Sequence, residues 1–187
     1  MRTAIFATAL MIATMAPVFA ADRKIDDFYG RYLGQGAVMR ADPASPLGKP
    51  PQKRMSEVII EPAKGEEGFI ITWSTMRAKE RGAPDASEAD VKTYHQSFRA
   101  TQDGNFFTDV TSGDPLKGQP SSWARIRGNT LSIVQVQIDP TGGYFVTHYD
   151  RTLTAKGLDV HFTRIEDSKV VRQVQLSLQK GPLPMRN

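Results

Sequence analysis

"TLSIVQVQIDPTGGYFVTHYDRTLTAKGLDVHFTRI" (Thr130 to Ile165) decides the fold, because its polarity alternates residue by residue and breaks only at turn signals. In the last run Leu158, Val160 and Phe162 alternate with Asp159, His161 and Thr163. In the first run Val134, Val136 and Ile138 share one face. A period of two puts successive side chains on opposite sides of an extended chain, whereas a helix would group every third or fourth residue. The joints suit hairpins. "DPTGG" (Asp139 to Gly143) has proline and glycine where a turn needs a fixed or positive φ, and Lys156-Gly157 serves the next joint. The stretch predicts antiparallel strands, neighbours in sequence and in space, with one buried and one wet face.

The same grammar extends in both directions. Strands are predicted over Phe28–Met39, Arg54–Pro62, Gly68–Arg77, Val91–Ala100, Asn105–Val110 and Ser122–Arg127. Thr130–Ile138, Gly143–Thr154 and Gly157–Ile165 follow, and Lys169–Leu178 comes last. In that final run Val170, Val174, Leu176 and Leu178 oppose Val171, Gln173, Gln175 and Ser177. Helical patterning is confined to the short entry "KIDDFYG" and to "DASEAD" (Asp85 to Asp90). The fold class is all-β. About ten strands joined as a meander leave two sheet edges, and closure into an antiparallel up-and-down β-barrel of about eight to ten strands removes both. A two-sheet β-sandwich is the alternative. The short hairpins after Gly128 favour the barrel.

The first strand, "GRYLGQGAV" (Gly30 to Val38), carries Gly30, Tyr32, Gly34, Gly36 and Val38 on one face. Glycine weakens a strand unless the strand bends sharply or another backbone approaches closely. Both conditions hold where the first strand of a barrel meets its second and its last. Gly30, Gly34 and Gly36 are therefore read as structural, facing inward where no side chain fits. The other reading is that they leave room for a ligand.

The ends and the composition bound the function. Arg2, the uncharged apolar run Ala4–Phe19 and the small residues of "VFA-AD" read as a signal peptide over residues 1–20, cut after Ala20. A single domain over residues 21–187, periplasmic or secreted, is the expectation, with no transmembrane segment once the signal is removed. The sequence holds no cysteine, which excludes thiol chemistry and disulfides. The formal charge of +4 is scattered rather than concentrated, its densest patch being "KPPQKR" (Lys49 to Arg54). A nucleic-acid surface would want a basic stripe with interleaved aromatics, so no nucleic-acid partner is expected.

"DDFYGRYLGQG" resembles the opening of lipocalin and broader calycin barrels, in which a short 3₁₀ turn leads into a Gly-x-Trp motif on the first strand. Gly30-Arg31-Tyr32 matches it with tyrosine in place of tryptophan. The resemblance implies an arginine near the final strand packed on that ring, a part open to Arg164 or Arg172. Most of the chain, through "FYGRY", "DPLKG", "WARI", "GGY" and "YDRTL", also resembles a family of small exported alphaproteobacterial proteins of uncharacterised activity. That likeness implies export and a β-barrel, and no reaction.

Tyr32, Trp73, Trp123, Tyr144 and His148 are the candidate ligand-binding residues, and Arg164 joins the glycines as structural. Trp73 shares a face with Phe69 and Ile71, which also suits a core position, and Trp123 at a strand mouth suits either a ligand rim or a cap on the barrel end. His148 and Asp150 share a face at i, i+2, where they could share a proton or a metal, while Asp150-Arg151 could form an internal charge pair. The three histidines, His95, His148 and His161, sit on separate strands without ligand spacing, so no metal and no cofactor is expected. Ser74, Ser97, Ser112, Ser121 and Ser122 lack a nucleophile elbow. The carboxylate pairs Asp26-Asp27 and Glu66-Glu67 fall at strand edges, and no catalytic residue is assigned.

Three functions remain. The first is an exported barrel that holds a small apolar or amphiphilic ligand in its interior. The second is a protein-interaction or hydrolase-inhibitor-like module that presents Pro43–Lys53 and Ala78–Asp90 to a periplasmic protein partner. The third is an enzyme of unknown type. Large inward residues at Tyr32, Phe98 and Phe162 together would mean a filled core and favour the second; a hollow interior favours the first.

Overall fold

The structure is a computed structural model that describes residues 22–39, 52–65, 67–77 and 91–182. The chain enters through a 3₁₀ turn, Ile25–Phe28, and then forms ten strands. These are β1 (Gly30–Met39), β2 (Gln52–Pro62), β3 (Gly68–Arg77), β4 (Lys92–Ala100) and β5 (Phe106–Asp109), followed by β6 (Ser121–Arg127), β7 (Thr130–Ile138), β8 (Tyr144–Leu153), β9 (Gly157–Glu166) and β10 (Lys169–Gly181). Each strand pairs antiparallel with the next, and β10 returns to β1, so the sheet is a closed up-and-down barrel. Closure rules out the sandwich. Several bounds differ from the sequence reading by one or two residues; among them Phe28 belongs to the entry turn, and the largest difference is in the last strand, where β10 runs on to Gly181. The signal segment, "DASEAD", Glu66 and most of the two loops named above lie outside the described residues.

The seam between β1 and β10 explains the glycines. A Cβ on Gly34 would lie 2.1 Å from the Ser177 carbonyl oxygen, and one on Gly36 would lie 1.9 Å from that of Gln175. The backbone of β10 therefore occupies the space that a side chain would need. Close approach of the last strand to the first is what these positions provide.

Along each strand the inward row changes character from one end to the other. At one end Phe69 stacks on Phe98, with ring centroids 4.9 Å apart, and meets Phe107 edge-on at 5.1 Å. Ile60, Ile71, Leu131 and Leu158 complete this end, and all are buried. The entry turn plugs it: Phe28 is fully buried, and the Tyr32 hydroxyl donates to the Phe28 carbonyl at 2.9 Å. The backbone N–H of Arg23 donates to the Gly128 carbonyl at 2.8 Å, tying the entry segment to the β6–β7 hairpin. Burial pushes the Tyr32 phenol above the usual tyrosine range, as expected for a hydroxyl held in a closed core. Tyr32→Phe leaves the buried Phe28 carbonyl without its donor, and urea unfolding should show a loss of about 1 kcal/mol.

Which face turns inward is settled by the register, and one bulge breaks the alternation. Val134, Val136 and Ile138 face outward and half-buried, while Leu131 and Ile133 supply the core from β7. A bulge between Val170 and Arg172 sets Val170 opposite Ile165 on the outer side, so Val170 does not share the inner face of Val174 and Leu176. The cation over the Tyr32 ring is Lys180, at 5.8 Å, rather than Arg164 or Arg172. Arg164 instead lies over Phe145 at 4.6 Å and pairs with Glu166 at 2.7 Å.

Candidate interior site

Above the aromatic core the barrel interior opens into a cavity of about 80 Å³. β8 contributes Tyr149 and Arg151 to its lining. Alternation along Tyr144–Leu153 turns Thr147, Tyr149, Arg151 and Leu153 inward, and Leu153 still packs on the core. Arg151, one step nearer the open end, is 1% exposed. Across the sheet Arg151 faces Val160, Val160 faces Leu176, Leu176 faces Gly36, and Gly36 faces Arg54. Two arginines thus bracket a row of small and aliphatic residues. Arg172, from β10, lines the same cavity.

The Arg151 guanidinium is held by rings. Its Cζ lies 4.7 Å from the Tyr149 ring centroid and 5.8 Å from that of Trp73. Tyr149 in turn packs on Phe162 at 4.5 Å, and Trp73 stacks on Tyr94 at 5.2 Å. The Nε and Nη1 atoms of Arg151 have no hydrogen-bond partner, nor does Nε of Arg172. None of the residues lining the cavity is acidic. Burial pushes the Arg151 guanidinium down to about 10, partly offset by Tyr149 and Asp150, so it keeps its charge at neutral pH. Burial also pushes the Tyr149 phenol up, which keeps that group neutral and gives Arg151 no counter-charge.

Of the five candidate contacts, the structure brings only Trp73 to this cavity. Tyr32 is fully buried in the closed core beneath it. Trp123 lies on the outer face of β6, half-buried and opposite Val134. Tyr144 braces the β9–β10 turn, its backbone N–H donating to the Asp167 carboxylate at 2.9 Å and its hydroxyl lying 2.7 Å from Ser168 Oγ. That turn needs bracing, because Asp167 and Ser168 both adopt positive φ. His148 lies outside, 3.1 Å from Asp150.

Asp150 and Arg151 point to opposite faces, so they form no internal charge pair. Outside the barrel Ser132 donates to the same Asp150 oxygen that His148 contacts. The carboxylate sits between the other two groups, so the imidazole does not reach the serine hydroxyl to activate it. Inside, the buried carboxylate of Asp109 accepts from the Thr111 backbone and hydroxyl, each at 2.8 Å, and from Gln96 at 3.1 Å, a fully engaged structural role. Among the described residues no group of three or more His, Asp or Glu could hold a metal ion.

From the sequence alone no ligand role falls to Arg54, Tyr149, Arg151 or Arg172: Arg151 enters only as an internal partner for Asp150, and Arg172 only as a candidate cation over the Tyr32 ring. The signal for two of them was present: Tyr149 and Arg151 alternate with His148 and Asp150, and the apolar row of β9 is their neighbour. In comparison with known proteins, the chain matches no family model, no curated protein and no solved structure. The ten-strand antiparallel barrel is compatible with a calycin-like fold. Among the described residues no helix is long and apolar enough to cross a membrane.

Proposed function

We propose that this protein is an exported, calycin-like barrel that binds one small amphiphilic molecule in the open half of its interior. The observation that carries the reading is the division of the inward rows. Tyr32 and Phe98 are filled core, whereas Phe162 is half-buried and lines the cavity with Trp73 and Tyr149. A barrel built only as a scaffold for loops would gain from packing that second half with aliphatic side chains. Aromatic walls with a few polar groups among them are instead the usual lining of a small-molecule site. Export rests on residues 1–20, and periplasmic protein is expected to begin at Ala21 by intact-mass measurement.

The test is a titration with N-phenyl-1-naphthylamine, an uncharged probe that brightens in apolar surroundings. One probe per chain should bind, with loss of Trp73 emission, and Val174→Trp should block it by filling the cavity while leaving the melting temperature near that of the wild type. Absence of a saturable signal, or equal binding by Val174→Trp, would refute interior binding.

A further inference from the structure

Given a ligand in the interior, we infer that it is a small organic anion, an aromatic body carrying a carboxylate or similar oxyanion that docks on Arg151. The inference deepens the proposed function and rests on it. A guanidinium removed from water retains its charge, and each unmet N–H is costly in a low-dielectric interior. Arg151 is in that position: 1% exposed, with Nε and Nη1 unpartnered and no carboxylate among the residues around the cavity. The nearest acid along the chain, Asp150, lies on the other side of the sheet and pairs with His148.

The rings of Tyr149 and Trp73 hold the guanidinium by cation–π contact but leave Nε and Nη1 unpartnered, and N–H donors of this kind are the groups an oxyanion takes. Arg172 adds a second cation whose Nε also lacks a partner, at 5.8 Å over Phe162. The size of the ligand follows from the volume. About 80 Å³ is the room of roughly three waters at liquid density, less than the roughly 150 Å³ of a cavity that holds a benzene ring. A flat body therefore enters only in part, with its head group at Arg151 and the remainder in the mouth of the cavity, and the walls beside it, Trp73 and Phe162, are themselves flat.

Calorimetric titration of the full chain with three compounds of one shape tests this: 2-naphthoate, 2-naphthalenemethanol and 2-naphthylmethylammonium. The naphthoate should bind about tenfold to a hundredfold more tightly than the alcohol, the scale of a charge-assisted hydrogen bond, and the ammonium should bind weakest. In Arg151→Met, confirmed folded by its melt, the naphthoate should lose its preference over the alcohol. Arg172→Met should narrow the preference without abolishing it, and serves if Arg151→Met does not fold. Equal binding of the three compounds by the wild type overturns the anion assignment and leaves interior binding standing. A preference that survives Arg151→Met overturns the role of that residue. If N-phenyl-1-naphthylamine binds and no naphthalene compound does, the anion assignment alone fails. If none of the four binds, both readings fail together.

Discussion

Gly36→Ala is expected to lower the stability of the barrel by about 3 kcal/mol, the upper part of the range for overpacking, although it adds a single methyl group. The new Cβ would stand 1.9 Å from the Gln175 carbonyl oxygen and 2.7 Å from the Leu176 Cα. Both are backbone atoms, so no side-chain rotation relieves the overlap. Relief requires β1 and β10 to part at the seam that closes the sheet, exposing hydrogen-bonding edges on both strands. Gly34→Ala should behave alike, with contacts of 2.1 Å and 2.9 Å to Ser177 and Leu178. Gly181→Ala is the control. Its nearest contact, the side chain of Leu33 at 3.5 Å, is an ordinary one, and the change should stay within about 0.5 kcal/mol. For a chain of this size the loss at Gly36 corresponds to a fall of roughly 6–12 °C in Tm. A Gly36→Ala protein that melts with the wild type would mean that the two strands do not approach as described.

Phe69→Ala should cost still more, about 3–5 kcal/mol, as for other phenylalanine truncations in packed cores. Phe69 is fully buried and touches two further rings, Phe98 in a stack and Phe107 at an edge. β3 and β4 fix this arrangement by setting Phe69 directly opposite Phe98, and Ala100 on β4 sits opposite Phe107 on β5. Collapse into the cavity is hindered because the surrounding positions belong to hydrogen-bonded strands. Chemical denaturation of the variant, with an unchanged m-value, measures the loss. A cost under about 1.5 kcal/mol would place Phe69 outside the main core.

The contrast between the two ends of the barrel shows how far the sequence could be read. Alternation in "GLDVHFTRI" and the turn residues of "DPTGG" are local signals, and each strand they mark is present. Closure was accessible by a further step, because a meander with short hairpins needs its edges removed. Inward and outward assignment was harder where both faces of a strand are mixed. In β7 the valines and Ile138 form the more regular row, yet they face out, and Leu131 with Ile133 faces the core. The bulge at Val170 and Arg172 inverts one position, and no residue there announces it.

The interior site was less legible for a physical reason. Arginine inside a barrel contradicts the rule by which strands are read, so Arg54 registers as a wet-face residue, Arg151 only as an internal partner for Asp150, and Arg172 only as a cation for the Tyr32 ring. Trp73 was found because it continues the row of Phe69 and Ile71, whereas Trp123 drew attention as a tryptophan and proved to lie outside. The tyrosine in Gly30-Arg31-Tyr32 was placed correctly in the interior, but as part of the plug beneath the cavity. Its cationic neighbour is Lys180, a lysine near the end of β10 in place of the arginine that the resemblance implies.

The two tryptophans give the most direct test of where a ligand goes. Trp73 lines the interior cavity and Trp123 stands on the outer wall, and the sequence has no third. A ¹⁵N–¹H correlation spectrum therefore contains two indole N–H signals, which Trp123→Phe assigns. On titration with N-phenyl-1-naphthylamine, binding in the open half of the barrel predicts that the Trp73 signal moves and saturates at one equivalent while the Trp123 signal stays in place. Movement of the Trp123 signal with an unmoved Trp73 would contradict interior binding.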